Sequence, residues 1–278
     1  CCEYMKTILK KKIKRFIPPF LLEFFSAIKQ PKRESEYGWF GDYATWNDAK
    51  LKCTGYDRDI ILDKVTESLL KVKNGEVIYE RDSVLFDEVH YSWPLLSGLL
   101  SAAVENNGKL NVLDFGGSLG STYYQNKIFL STAKELRWNI VEQQHFVKKG
   151  KLFFQDEELK FYESIDECLK SNSCNVLLLS GVLQYLEKPI VFLQQVIKSN
   201  FDYIIIDRTS FIKGRQSRIT IQRVQPEIYD ANYPCWFFNE NELTDVLKDS
   251  YRLLASFEAL DKSNIPETYF KGYIYKRN

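Results

Sequence analysis

Asp114, Gly116, Gly117, Ser118 and Gly120 stand close together in the run VLDFGGSLG. An acid closes an apolar segment, and glycines with one small hydroxyl residue follow. That is how a strand feeds a tight turn whose backbone can approach a ligand closely. The dinucleotide fingerprint G-x-G-x-x-G does not fit, because from Gly116 its later glycine positions fall on Ser118 and Ser121. The pattern acid-x-G-x-small-x-G does fit, through Asp114, Gly116, Ser118 and Gly120. A carboxylate there welcomes an ammonium or a polarised water and repels a pyrophosphate.

Glu142 ends the next apolar run, WNIVE. A carboxylate at the end of a second strand can accept both ribose hydroxyls of an adenosine-type ligand. Glu163 and Ser164, at the end of a third run, fall where an adenine would lie in a doubly wound order. Ser180 and Gly181 end a fourth run, NVLLLSG. Together these positions suit S-adenosylmethionine, which carries an amine, a cationic sulfonium and an adenosine.

Methyl transfer to a hydroxyl needs a base, and His, Asp or Glu can supply one. The chain has only two histidines, His90 and His145. His90 lies in DEVHYSWP, ahead of the sheet, and is a catalytic candidate, with Tyr91 beside it as an acceptor contact. His145 is expected on the adenine side or facing solvent. Asp207 ends a fifth strand, and ligands of open α/β sheets bind outside the carboxyl ends of the strands. Asp207 is therefore the second catalytic candidate. Arg208, Arg215, Arg218 and Arg223 follow, with Tyr229, Tyr233 and Trp236. Arginines fork onto carboxylate or phosphate, and aromatic rings stack on sugars. Arg208, Arg218, Tyr233 and Trp236 are thus expected to hold an anionic or sugar-containing acceptor, with Arg208→Ala and Trp236→Ala raising acceptor KM alone.

These residues need a scaffold. Strands are expected at 110–115, 138–142, 159–162, 175–180, 203–207, 252–257 and 270–275, with helical segments between most of them. NVLLLS and YIIID are nearly continuous apolar runs, as in strands covered on both faces. Alternation of strand and helix predicts a parallel α/β sheet. The short final link predicts an antiparallel last strand. The fold class is α/β: a Rossmann-like, seven-stranded, mostly parallel sheet with helices on both faces and an N-terminal helical extension. Residues 1–36 read as a basic and apolar segment, 37–108 as a helical, aromatic-rich cap, and 109–278 as the catalytic domain. Tyr37 to Tyr43 reads as an aromatic loop, with Asp42 or Thr45 capping a helix near Trp46. The long segment after Asp207 is read either as facing the substrate or as a solvated loop clasped by aromatics.

The phrases VLDFGGSLGSTYY, WNIVEQQ and VLLLSGVLQYLEKPIVFLQQV together resemble the class I S-adenosylmethionine-dependent methyltransferases. From GWFGDYATWNDA and CTGYD to GYIYKR, residues 37–278 resemble a little-characterised methyltransferase family whose members tend to accompany bacterial surface-polysaccharide genes. The resemblance implies methionine near Asp114, Gly116 and Gly120, ribose on Glu142, adenine near Gln143 and Glu163–Ser164, and the reactive methyl beside Ser180 and Gly181. Ser118 stands where many such enzymes have a second glycine. The proline-proline-aromatic signature of base-methylating enzymes is absent after the fourth strand.

The whole chain adds limits. It has 278 residues, 45% hydrophobic, and a net charge of +1, so no global charge argues for nucleic acid. Its six cysteines form no C-x-x-C pair, which leaves no zinc spacing and suits free thiols in a reducing cytoplasm. No metal is expected. Six Lys/Arg lie between Lys6 and Arg15, ahead of FIPPFLLEFF. Residues 5–25 read either as a segment lying on the anionic inner face of a membrane or as a docked helix with a solvated basic face. Met5 is the only methionine, and the natural start is expected there. The expected function is methyl transfer to a small molecule or glycan at oxygen, in surface-polysaccharide synthesis. Its rivals are a nicotinamide-dependent oxidoreductase and a non-catalytic protein on the same fold. Nothing in the residues signals an oligomeric state.

Overall fold

The computed structural model describes residues 36–53, 59–214, 216–226, 228 and 231–278. Residues 5–25, and with them the expected membrane contact and helical extension, lie outside the described residues. Residues 37–278 form one compact unit.

In chain order the elements are β1 (Gly38–Tyr43), α1 (Trp46–Lys50), α2 (Asp59–Lys73), β2 (Tyr79–Arg81), β3 (Val84–Phe86), α3 (Trp93–Glu105), β4 (Lys109–Phe115) and α4 (Ser121–Leu130). Then come β5 (Glu135–Val141), α5 (Gln144–Phe153), β6 (Leu159–Tyr162), α6 (Ile165–Ser171), β7 (Val176–Ser180) and α7 (Pro189–Val196). The chain ends with β8 (Tyr203–Ile212), β9 (Arg218–Arg223), β10 (Asn232–Phe237), α8 (Glu240–Thr244), β11 (Tyr251–Glu258) and β12 (Thr268–Arg277).

The central sheet has seven strands in the order β11-β12-β8-β7-β4-β5-β6. From β6 to β8 all pairs are parallel, and β12 joins β8 and β11 antiparallel. This is the Rossmann-like sheet expected, with the antiparallel ending. The apolar runs explain why it forms. On β7, Val176 and Leu178 enter one core and Leu177 and Leu179 the other; on β8, Tyr203 and Ile205 oppose Ile204 and Ile206 in the same way. The first core is closed by α2, α3, α4 and α5 through Leu62, Leu99, Tyr123 and Phe146, and the second by α6, α7 and α8 through Cys168, Leu193 and Leu243. Both faces are therefore apolar and both are covered.

Two expectations fail. Residues 38–43 are strand β1, not a loop, and the region after Asp207 holds β9 and β10. These three form a second antiparallel sheet, in the order β1-β9-β10. Its strands come from distant parts of the chain, so local pattern carries little of the pairing. Thr45 is indeed the cap of α1, its hydroxyl accepting from the Asp48 N–H at 3.2 Å.

Candidate active site

The strand that carries the glycine turn sits at the centre of the sheet, where the chain order reverses between β4 and β7. Ligands of open α/β sheets sit at that crevice. A cavity of about 710 Å³ lies there, over the carboxyl ends of β4, β5 and β7 and beside Asp207 and Arg208. Those two stand in the middle of β8 and not at its end as expected, because β8 pairs with β12 as far as Ile212.

The turn is built by conformation. Gly116, Ser118 and Gly120 have φ of +73°, +54° and +110°. A Cβ on Gly116 would meet Val182 at 2.4 Å, and one on Gly117 the Asp114 carboxyl at 2.5 Å. Only glycine fits at either place. Gly116, Gly117 and Ser118 line the cavity, whereas Gly120 does not and instead starts α4 above Ile140 and Leu159.

Asp114 is buried at the end of β4 and accepts the Trp138 indole N–H at 2.9 Å. Burial pushes its carboxyl up to about 7, against the pull of that bond. Glu142 follows β5. Its Oε1 accepts the Ser118 N–H at 3.3 Å and its Oε2 the Gln143 N–H at 2.7 Å. Burial raises Glu142 as well. The carboxylate is thus fixed at the strand end by the turn itself, with lone pairs left over to accept two hydroxyls. Gln143, Glu163, Ser180 and Gly181 line the same cavity. Ser164 does not: its hydroxyl caps α6 through the Glu167 N–H, while Glu167 accepts from the Glu163 N–H.

A β-bulge sets the far wall. Lys271 pairs with Thr209 and Tyr273 with Ile206, so Asp207 and Arg208 together oppose Gly272. Bulges re-aim side chains beside sites. Arg208 takes the positive φ, +52°. Asp207 is 3% exposed, accepts the Arg208 N–H at 2.9 Å, and is bonded by the Ser92 hydroxyl. Burial pushes it up to about 6, although Arg208 pulls the other way. Asp207 and Arg208 both line the cavity.

Arg208 is already engaged. Its guanidinium spans Asp261, at 3.0–3.3 Å, and Asp82 at 2.5 Å. It joins the β2–β3 hairpin, β8 and the β11–β12 link, and it has no free fork for an anionic acceptor.

The remaining candidates divide. His90, Tyr91 and Tyr233 line the cavity. The His90 ring is half exposed, edge-on to Phe86 and 3.6 Å from the Glu88 carboxylate. Tyr91 packs on Trp93 and Phe129, and Tyr233 edge-on to Tyr185. Arg218 and Trp236 are elsewhere. Arg218 donates to the Gly41 carbonyl at 2.6 and 3.0 Å, tying β9 to β1. Trp236 stacks between Trp46 and Phe238 and donates to the Leu186 carbonyl. Both are spent on holding the second sheet. His145 packs on Phe146, away from the cavity lining. Arg215 and Tyr229 lie outside the described residues.

Among the lining residues that escaped the sequence reading are Glu80, Gln125, Gln184 and Gln222. Glu80 and Gln184 are buried polar side chains in short elements, a three-residue strand and a single 3-10 turn. Such elements leave no periodic signal. Gln184 donates to the Arg208 carbonyl, and its Oε1 has no partner among the described residues. Tyr185 donates to Gln222 at 2.7 Å.

The charge of the cavity is one-sided. Glu80, Asp82, Asp114, Glu142, Glu163, Asp207, Glu258 and Asp261 line it against only Arg81 and Arg208. Among the described residues no group of three or more His, Cys, Asp or Glu could hold a metal ion. No described helix is long and apolar enough to cross a membrane.

No family model matches the chain, and no curated protein matches it. Among solved structures it is similar to the N-terminal domain of EvdMO1 in the presence of SAH and D-fucose, at 11% identity and TM-score 0.48, over 78% of this chain and 97% of that one. It is also similar to the Burkholderia thailandensis 1,6-didemethyltoxoflavin-N1-methyltransferase with S-adenosylhomocysteine, at 11% identity, TM-score 0.40, and 89% and 98% coverage. A third is the magnesium protoporphyrin IX methyltransferase of Synechocystis PCC 6803 with bound SAH, at 13% identity, TM-score 0.42, and 67% and 83% coverage. Likeness at this level carries nothing about what this chain binds.

Proposed function

We propose that the protein transfers a methyl group from S-adenosylmethionine to a hydroxyl of a small-molecule or glycan acceptor. The observation that carries this is a glycine turn joined to the strand-end carboxylate Glu142 in a cavity lined by carboxyls. A pyrophosphate would meet Asp114, Glu142 and Glu80, and Arg208 is held by Asp82 and Asp261, so a dinucleotide is disfavoured. A ligand that is cationic at sulfur and nitrogen, anionic only at one α-carboxylate and neutral at ribose and base suits that lining better.

Glu142 accepts the ribose hydroxyls, and Gln143 and Glu163 flank the base. The backbone at Gly116 and Ser180 borders the amino-acid end. The bound donor supplies an electrophilic methyl on a sulfonium. The protein positions the acceptor and removes its proton. Asp207 is the better base of the two candidates: it is buried at the bulge in β8 and raised to about 6, which keeps it ionised at neutral pH yet basic. His90 is half exposed and is assigned to the rim.

Beyond Asp207 the lining turns aromatic and amide-rich, with Tyr185, Tyr233, Phe270, Gln184 and Gln222. Rings and neutral amides suit a hydroxylated, uncharged acceptor such as a sugar. The resemblance of residues 37–278 to methyltransferases of surface-polysaccharide gene groups supports a glycan. The test is transfer of labelled methyl from S-adenosylmethionine to a panel of neutral sugars, sugar phosphates and amines. Labelling of neutral sugars, lost in Asp207→Asn, is expected; labelling of sugar phosphates or amines alone would overturn the acceptor assignment.

A further inference from the structure

Glu80 is a buried carboxyl that none of these steps uses. It lies on β2 and is 2% exposed. Its Oε2 accepts the Ser121 hydroxyl at 2.6 Å and its Oε1 the Ser83 N–H at 2.7 Å. Ser121 is the first residue of α4, directly after the glycine turn. The carboxyl therefore stands one hydroxyl away from that turn, and it lines the same cavity as Gly116 and Gly117.

A carboxylate offers about four lone-pair sites, and two donors occupy only two of them. Buried carboxylates need a cation or a proton. The arginine whose field reaches Glu80 is Arg208, and Arg208 is already held by Asp82 and Asp261. Asp82 adds repulsion, and burial pushes Glu80 up to about 7. The site is thus arranged for a cation that can donate hydrogen bonds. A sulfonium has no N–H to give. A primary ammonium has three, enough to fill the open lone pairs.

We propose that Glu80 binds the α-ammonium of the amino-acid end of the methyl donor, with Ser121 holding the carboxyl in place. This rests on the methyl-donor reading above. It makes Glu80 the residue by which the site prefers ligands with an amino-acid tail over the bare thio-adenosine core. The β2–β3 hairpin then becomes a wall of the donor site, not merely a cover over it.

Isothermal titration with S-adenosylhomocysteine and with 5′-methylthioadenosine, which lacks the amino-acid end, tests this. Glu80→Gln should weaken S-adenosylhomocysteine roughly 10–100-fold, as for a lost hydrogen bond to a charged group. It should leave methylthioadenosine within about twofold, which also shows that the variant is folded. Ser121→Ala should weaken S-adenosylhomocysteine by a smaller factor with the same selectivity, and it serves should Glu80→Gln not fold. Unchanged S-adenosylhomocysteine affinity in both variants, or equal losses for the two ligands, would overturn the assignment and leave the donor reading standing. Failure of the unsubstituted protein to bind either ligand would remove both.

Discussion

Two side chains divide the proposed chemistry between them. Glu142 is held by backbone N–H groups at both oxygens, so its geometry is set before any ligand arrives. Glu142→Ala should lower affinity for S-adenosylhomocysteine at least about tenfold, as expected for two lost charge-assisted bonds, with little change in acceptor KM. Asp207→Asn should do the reverse: donor affinity is kept and kcat falls roughly 100-fold or more. Because Asp207 is raised to about 6, kcat/KM of the unsubstituted enzyme should decline below about pH 6 as the base takes up a proton. A profile flat down to pH 5 would exclude Asp207 as the base. The donor half of the site was legible in sequence because its residues end apolar runs: Asp114, Glu142 and Ser180 each close a strand. The acceptor half was not. Arg208, Arg218 and Trp236 carry the right chemistry for recognition, but packing commits them to other partners, and only tertiary contacts reveal that.

Among the elements, the bulge in β8 does most to shape the site. It aims Asp207 and Arg208 at one cavity, and Gly272 opposite them leaves the room. A Cβ at Gly272 would lie 2.2 Å from the Phe257 ring and 2.8 Å from the Ile206 carbonyl. Gly272→Ala should therefore destabilise the fold by about 1–3 kcal/mol, the usual range for overpacking, and lower kcat together with Tm. Normal Tm with normal kcat in that variant would refute the role given to the bulge. Arg208→Ala should also lower Tm, by about 1–3 kcal/mol of stability, since it strands two carboxylates and the guanidinium is only partly buried. That replaces the expectation of a pure acceptor-KM effect. The seven central strands were readable because six of them are buried runs or regular alternations joined in sequence order. The second sheet was not, since β1 pairs with β9 across most of the chain and β9 and β10 are six-residue strands with no sequence neighbour in the central sheet's strand-helix alternation.

For the whole molecule, the acidic cavity links pH to stability. Asp114 and Glu80 are pushed up to about 7 and Asp207 to about 6 by burial. Unfolded carboxyls ionise near 4. Between those values the folded state holds more protons than the unfolded, so stability falls as pH rises. Glu240 works in the opposite sense: desolvation raises it, but bonds from Lys271, Tyr269 and Tyr273 outweigh that and hold it low, so its contribution is lost only in acid. Without ligand, Tm should therefore be higher near pH 5 than at pH 8, and Asp114→Asn or Glu80→Gln should flatten the decline. A Tm that rises from pH 5 to pH 8 would contradict the picture of uncompensated buried carboxyls. The same one-sided charge is what favours a cationic methyl donor over a dinucleotide. Parallel calorimetric titrations of the unsubstituted protein with S-adenosylmethionine, S-adenosylhomocysteine and NAD test that most directly. The account predicts saturable binding of the first two and none of NAD; binding of NAD without binding of either methyl-donor ligand would contradict it.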